Sequence, residues 1–198
     1  MRFIAITLAV VLSACGTTVG ATGSGRPSPS ASPSARVTSP TTRDCTVSWV
    51  DHFASLAELA AKAEVIVRAV AVSQDIAQLK AFAAGGAVSL RDARRTTFKV
   101  SQTLKGDVTP QIRVLEDVCT NLEVGPGEEW LLFAYRWDKT YGPVDGGEHF
   151  MTRGGPQGQF RFAAGKVSGP FFTFAPVVHS YEGAGIDEVL RDVRTAVR

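Results

Sequence analysis

The most apolar run after the first 14 residues covers residues 128–137, Glu-Glu-Trp-Leu-Leu-Phe-Ala-Tyr-Arg-Trp, and follows a Gly-Pro-Gly turn. Alternate side chains of a β-strand point to opposite faces, so Trp130 and Leu132 would line one face while Leu131 and Phe133 line the other. Because both faces are apolar, both need cover. The pattern predicts a central strand with further structure packed on each side.

Further strands are predicted before and after this run. Residues 65–72 are rich in Val and Ala, and residues 98–104 alternate apolar and polar positions up to a Lys-Gly-Asp turn. Residues 111–118 follow this turn, which favours an antiparallel hairpin, and two short strands are expected around Phe150 and at 159–163. Residues 73–95 have a Gly-containing centre and an Arg-rich end, so they are expected to form an insertion or a long loop.

Two helices are predicted, one near each end of this β-rich region. Ser55 and Glu58 form a capping box, in which the serine oxygen accepts from the Glu58 amide and the Glu58 side chain reaches back to the Ser55 amide. An apolar stripe at helical spacing closes the chain, with members Ile186, Val189, Leu190, Val193 and Val197. The expected fold is mainly β with flanking helices, a small antiparallel β-barrel with an N-terminal and a C-terminal helix.

The first 14 residues have the pattern of an export leader. Arg2 precedes an apolar core at residues 3–11, which is too short to span a bilayer as a permanent helix. The core ends in Leu12-Ser13-Ala14-Cys15-Gly16, which resembles the bacterial lipobox, in which a cysteine becomes diacylated and forms the new N-terminus. The resemblance implies a signal peptide at residues 1–14 and membrane lipid as a partner through acylated Cys15. The alternative is an ordinary secretory leader with a chance cysteine.

Residues 16–43 separate this leader from the rest of the chain. They are nearly all Gly, Ala, Ser, Thr or Pro and include no acidic and no aromatic residue, so they have too little apolar surface to offset the entropy of ordering. We expect a lipid-anchored disordered linker over residues 15–43, with a root-mean-square span of about 30 Å. A single domain with its own core is expected over residues 44–198.

The formal net charge of +2 arises before this domain, where the only charged residues are Arg2, Arg26, Arg36 and Arg43. From Asp44 onward, acidic residues slightly outnumber basic ones. A nucleic-acid partner would need a clustered basic surface. The basic neighbours of the domain, Arg91, Arg94 and Arg95, are expected to be solvated, so no nucleic-acid partner is predicted.

The chain has three cysteines. With Cys15 assigned to the leader, Cys45 and Cys119 are a candidate disulfide pair in an oxidising compartment. Two separate buried thiols are the alternative.

Three segments together carry a family resemblance. They are Phe98-Lys99-Val100 running on to Leu104-Lys105-Gly106-Asp107, then Cys119, then Gly127-Glu128-Glu129-Trp130-Leu131-Leu132-Phe133-Ala134. They resemble the netrin-like, or tissue-inhibitor-of-metalloproteinase-like, module of many bacterial surface proteins, over roughly residues 45–167. The resemblance implies an oligonucleotide/oligosaccharide-binding (OB) type barrel and a disulfide between Cys45 and Cys119, whose closed loop would stabilise the fold by roughly 4 to 5 kcal/mol.

The chain departs from this module in two ways. The animal inhibitors chelate a protease zinc through the free amine of an N-terminal cysteine, whereas Cys45 lies behind the linker and has no free amine. That inhibitory mechanism cannot operate at Cys45. The module also commonly has a cysteine after the central strand, and this sequence has none after Cys119.

Motifs for catalysis are absent from the sequence: it contains no nucleophile elbow, phosphate-binding loop or dinucleotide-binding glycine motif. His52 beside Asp51 is interpreted as a surface pair. Another polar set lacks the spacing typical of a zinc site and is interpreted as a loop rim; its members are Asp145, Glu148, His149 and His179. We therefore predict no catalytic residue, no metal and no cofactor.

Trp137, Tyr141 and Phe150 flank one loop. They are expected to fill the mouth of the barrel as core, and a stacking platform for a sugar or peptide is the alternative. The function expected is that of a non-enzymatic lipoprotein on the extracytoplasmic face of the cell membrane, with a protein or glycan partner. One alternative is a metal-dependent or hydrolytic enzyme that uses the loop carrying Asp145 and His149. Another is a protease inhibitor that acts through its loops.

Overall fold

The computed structural model describes residues 51–82, 88–118, 123–137, 147–168 and 175–198. Within these ranges the chain is mainly β, with one large sheet and a few helices, which confirms the predicted class. The predicted leader and linker lie outside the described ranges, as do Cys15, Cys45 and Cys119. The lipid anchor and the disulfide therefore stay predictions.

Helix α1 spans Leu56–Lys62 and begins at the predicted capping box. The Ser55 Oγ accepts from the Glu58 amide at 3.2 Å, and the Glu58 Oε2 accepts from the Ala54 amide at 3.0 Å. The second bond reaches one residue further back than the Ser55 amide that the sequence predicted. The first bond satisfies one of the amides that a helix leaves without partners at its N-terminus, and the second ties the residue before the N-cap to the first turn.

Strands β1, Val65–Phe82, and β2, Val88–Lys105, form a long antiparallel hairpin of 18 residues per strand. The prediction of an insertion or long loop at 73–95 is wrong for residues 73–82 and 88–95, which continue the two strands. Polar side chains bond across the two strands there: the Gln74 Nε2 donates to the Thr96 Oγ1 at 3.0 Å, and the Arg95 Nε donates to Asp75 at 3.0 Å. Pairing of polar neighbours replaces the apolar alternation that usually identifies a strand.

Five more strands complete the sheet, namely β3 Gln111–Asp117, β4 Glu129–Arg136, β5 Phe150–Thr152, β6 Gln159–Ala163 and β7 Lys166–Val167. Their order is β1-β2-β3-β5-β4-β6-β7, and an additional pairing between β1 and β4 joins the first five into a ring. The predicted hairpin of β2 and β3 is confirmed. All neighbours are antiparallel except β3 and β5, which are parallel.

Strand β4 is central, as predicted, because it pairs with β1 on one edge and with β5 and β6 on the other. Trp130 and Leu132 belong to an apolar cluster of side chains from one face of the five ring strands. Leu131 and Phe133 belong to a second cluster, which α1 and the C-terminal helix cover. Both faces of the strand are therefore buried.

The other described helices are short. A 3-10 helix at Gly155–Gly158 is followed by α2, Pro176–His179, and by α3, Ile186–Ala196, whose apolar stripe confirms the predicted C-terminal helix. Helix α3 packs against α1 over the second cluster. No helix in the described part of the chain has the length and apolarity that crossing a bilayer requires.

Candidate functional site

A groove of about 470 Å³ lies along the outward side of β3 and is the main candidate for a binding site. We call it the β3 groove. It is lined by Thr97 of β2, by Thr109 and Pro110 of the following turn, by Gln111 and Arg113 of β3, and by Glu148 and Phe150. The volume lies within the range of small-ligand sites.

The register of the sheet explains why these residues share one surface. Thr97 is aligned with Arg113 across the β2–β3 pair, so their side chains lie side by side. Phe150 is aligned with Val114 in the parallel β3–β5 pair, which brings residues 147–150 to the other wall. The Thr109 hydroxyl donates to the carbonyl of Gln111 and shapes the turn that closes one end.

Glu148 is held in place on the groove wall by Arg136. The Arg136 Nε lies 2.6 Å from the Glu148 Oε1, and its Nη2 donates to the carbonyl of Asp107 at 2.5 Å. The Arg136 guanidinium also lies 5.6 Å from the centroid of the Phe150 ring. These contacts connect the turn after β2, the end of β4 and the start of β5, so the carboxylate has a defined position.

Arg113 supplies a positive charge to the same groove. A Cβ at Gly147, which has a φ of +97°, would lie 3.3 Å from the Arg113 Nη1. Glycine both adopts the left-handed backbone there and lets the chain pass close to the guanidinium. The groove thus offers a guanidinium, a carboxylate, threonine hydroxyls and an amide, which suits a ligand rich in hydrogen-bonding groups.

The aromatic residues of the candidate platform do not share one surface in the described part of the chain. Phe150 is only 1% exposed and belongs to the apolar cluster of the ring strands, so only part of it borders the groove. Trp137 is half-buried and packs against a separate cluster formed by Ala77, Ala93 and Leu115. Tyr141 lies outside the described residues.

Of the polar set Asp145, Glu148, His149 and His179, the three described members also have different surroundings. Glu148 is ion-paired with Arg136, and His149 is fully buried. His179 lies on α2, where its Nδ1 is 3.7 Å from a Glu182 carboxylate oxygen. Asp145 is outside the described ranges, and within those ranges no three His, Cys, Asp or Glu side chains gather as metal ligands would.

Asp51 and His52, which precede α1, and Arg94 and Arg95 of the hairpin also have different surroundings. Asp51 faces Arg153 at 3.6 Å, and His52 is exposed. Arg95 bonds Asp75 and lowers the pKa of that carboxyl, mainly through the hydrogen bond. Arg94 points to the opposite face of β2, and its charge acts on Glu116.

Glu116 is a buried carboxyl that sequence reasoning missed. It is 7% exposed and accepts a hydrogen bond from the Gln159 Nε2. Burial raises its pKa to about 7, although the Gln159 bond and the Arg94 charge act in the opposite direction. One signal was available: Ile112, Val114 and Glu116 occupy alternate positions of a strand, so they share its inward face.

No protein-family model matches the chain, and no curated protein matches it either. The function is therefore inferred from the sequence, the fold and the groove.

Proposed function

We propose that the protein is a non-enzymatic binding module held by lipid on the extracytoplasmic face of a bacterial cell membrane. The β3 groove takes a segment of an extracytoplasmic protein or a glycan. The leader and the Leu-Ser-Ala-Cys sequence ending at Cys15 support the anchor, and the Ser/Thr/Pro-rich residues 16–43 support a spacer between lipid and domain.

We propose further that the five-strand ring is a small barrel of the OB type, as the netrin-like resemblance implies. OB folds are five-stranded barrels that bind ligands on the face of strands 2 and 3, between the loops that join strands 1 to 2 and 4 to 5. The observation that carries the proposal is the position of the β3 groove, which lies on β2 and β3 and is bordered by the end of the β4–β5 connection.

The chemistry of the groove supports a polar ligand. Arg113 and Glu148 place opposite charges on its walls, and Thr97 and Gln111 add neutral hydrogen-bonding groups. A peptide backbone or a glycan presents many donors and acceptors to such side chains, whereas an apolar ligand would remove them from water without adding hydrogen bonds to them.

Site-specific photo-crosslinking on intact cells tests this proposal. A photoreactive amino acid at Gln111, an exposed position on the groove wall, is expected to give a discrete adduct with a protein or a glycan. The same amino acid at Arg191, exposed on α3, is the matched control and should not give that adduct. Arg113→Glu, combined with the probe at 111, should abolish it.

Identical adducts from positions 111 and 191 would contradict a binding role for the groove, as would an adduct that survives Arg113→Glu. The absence of any adduct from position 111 would contradict it as well.

A further inference from the structure

The ring of five strands has a short seam between β3 and β5. The two strands are aligned through only two pairs, Val114 with Phe150 and Leu115 with Met151. Strand β5 ends at Thr152, while β3 continues through Glu116 and Asp117. Main-chain pairing therefore closes only part of this junction.

Three buried polar side chains continue the closure beyond the paired residues. The Gln159 Nε2, at the start of β6, donates to the Glu116 Oε1 and also to the Thr152 Oγ1 at 3.0 Å. Glu116, Gln159 and Thr152 are 7%, 6% and 4% exposed. We call these residues the seam triad, because they link β3, β5 and β6 where the ladder of backbone bonds has ended.

The backbone leaves Gln159 little freedom to move. It follows Gly158, where a Cβ would lie 2.6 Å from the carbonyl oxygen of Arg153 and 2.8 Å from that of Phe133. Gln159 is also aligned with Leu132 of β4. This packing fixes the main chain from which the Gln159 side chain reaches Glu116.

The protonation state of Glu116 changes what the seam triad can bond. The Glu116 Oε2 and the Gln159 Oε1 are buried and have no hydrogen-bond partner among the described residues. A protonated carboxyl gains an O–H donor that the carboxylate lacks, and an amide oxygen is a suitable acceptor for it. The protonated pair can therefore satisfy more of its buried polar atoms than the ionised pair.

Charges near Glu116 do not remove this preference. From β2, Arg94 is aligned with Glu116 and favours the ionised form. The residues facing it from β5 and β6 are the neutral Thr152 and Gln159, and those aligned with them on β4 are Ala134 and Leu132. Burial outweighs the Arg94 charge, so the pKa of Glu116 rises to about 7.

We propose that the seam triad is a proton-operated latch of the ring. The seam is closed while Glu116 carries a proton, and it loosens when Glu116 ionises and β3 moves to let water reach the carboxylate. The inference does not depend on the function of the β3 groove, because it concerns the stability of the ring alone.

Hydrogen exchange on the full chain, followed by mass spectrometry, tests the latch. Exchange times are scaled for the pH dependence of intrinsic exchange, so that only structural opening is compared. Protection of peptides from β3 is expected to fall by about tenfold between pH 6 and pH 8.5, while peptides from α3 stay unchanged.

Glu116→Gln keeps a neutral partner for Gln159 and should show the same protection at both pH values. Glu182→Gln, which changes an exposed carboxylate after α2, is the matched control and should retain the response of the natural chain. Carbon-13 NMR of the Glu116 carboxyl in the unaltered protein gives a second measurement that needs no variant to fold. It should titrate near pH 7, together with the exchange response.

The latch is overturned if seam protection does not change with pH, or if Glu116→Gln retains the change. Titration of the Glu116 carboxyl near the ordinary glutamate value of about 4.3 would overturn it as well.

Discussion

Gly158 occupies a residue position where the main chain leaves no space for a side chain. A Cβ there would approach two carbonyl oxygens, those of Arg153 and Phe133, to less than 3 Å. Both are backbone atoms, which cannot rotate away as a flexible side chain can. The glycine therefore allows the 3-10 helix to pack beneath β4 and delivers the next residue, Gln159, to the seam.

We expect Gly158→Ala to lower the free energy of unfolding by about 3 kcal/mol, the upper end of the usual range for overpacking, because two backbone contacts are violated at once. Urea denaturation measures this loss. Gly125→Ala is the control, since its Cβ would meet only the flexible Glu128 side chain at 3.4 Å, and it should change stability by less than about 0.5 kcal/mol. Equal stability of the two variants would contradict the expected clash.

Gln157 is a second residue whose role depends on burial. Its Oε1 accepts from the Phe53 amide at 3.1 Å, and its Nε2 donates to the carbonyl of Asp51 at 3.3 Å. The Gln157 side chain thus holds the segment before α1 with hydrogen bonds to its backbone, of the kind that a neighbouring strand usually supplies.

Gln157→Leu should lower the free energy of unfolding by roughly 1 to 3 kcal/mol, because the buried Phe53 amide loses its acceptor. Proteolysis in the segment before α1 should also become faster. The same substitution at exposed Gln111 is the control and should leave both quantities nearly unchanged. If Gln157→Leu resists protease as well as the unaltered chain does, the side chain does not hold this segment.

At the scale of secondary structure elements, the helices are defined by nearby residues, whereas the long hairpin is defined by contacts between its strands. Helix α1 begins at a capping box, and α3 has an apolar stripe, so each is defined by residues close in sequence. The long hairpin is defined by contacts between strands, since its polar half is joined by bonds such as Gln74 to Thr96. Sequence patterns therefore predicted α1 and α3 correctly, but they predicted a loop or insertion for this half of the hairpin.

The cap of α1 gives a test at this scale. Ser55→Ala should lower the free energy of unfolding by roughly 0.5 to 2 kcal/mol, because the Glu58 amide loses its acceptor. Ser55→Asp supplies another capping oxygen and should restore most of the loss. Thermal unfolding followed by circular dichroism measures both, and no difference between the Ala and Asp variants would show that the cap is not what stabilises the helix.

At the scale of the whole molecule, the arrangement we propose is a folded domain at the end of a lipid-anchored spacer. The described domain has a buried core on both faces of β4, as an independently folded unit requires. The proposed anchor and spacer precede it in the chain and depend on Cys15.

Cys15→Ser should move most of the protein from the membrane fraction to the soluble extracytoplasmic fraction, because the residue that would carry the acyl chains is lost. Cell fractionation followed by immunoblotting measures the distribution. Ser24→Ala, within the spacer, is the control and should remain with the membrane. A Cys15→Ser protein that still sediments with membranes would contradict lipid anchoring.

Sequence alone determined the features that depend on neighbouring residues. The apolar run at residues 128–137 identified the central strand, the Ser55 and Glu58 pair identified the start of α1, and the stripe from Ile186 identified α3. Each follows from a local apolar run, a local period or a local hydrogen bond, so no knowledge of distant residues was needed.

Only the tertiary structure decided the ring, the β3 groove and the burial of Glu116. Sequence reasoning considered Glu148 as a metal ligand and Phe150 as part of a platform, whereas Arg113 entered only as a position on a hairpin strand. These residues meet because β5 pairs with β3 across more than 30 positions of sequence. Which strand edges pair depends on the free energy of the whole sheet, so a local sequence pattern does not determine it.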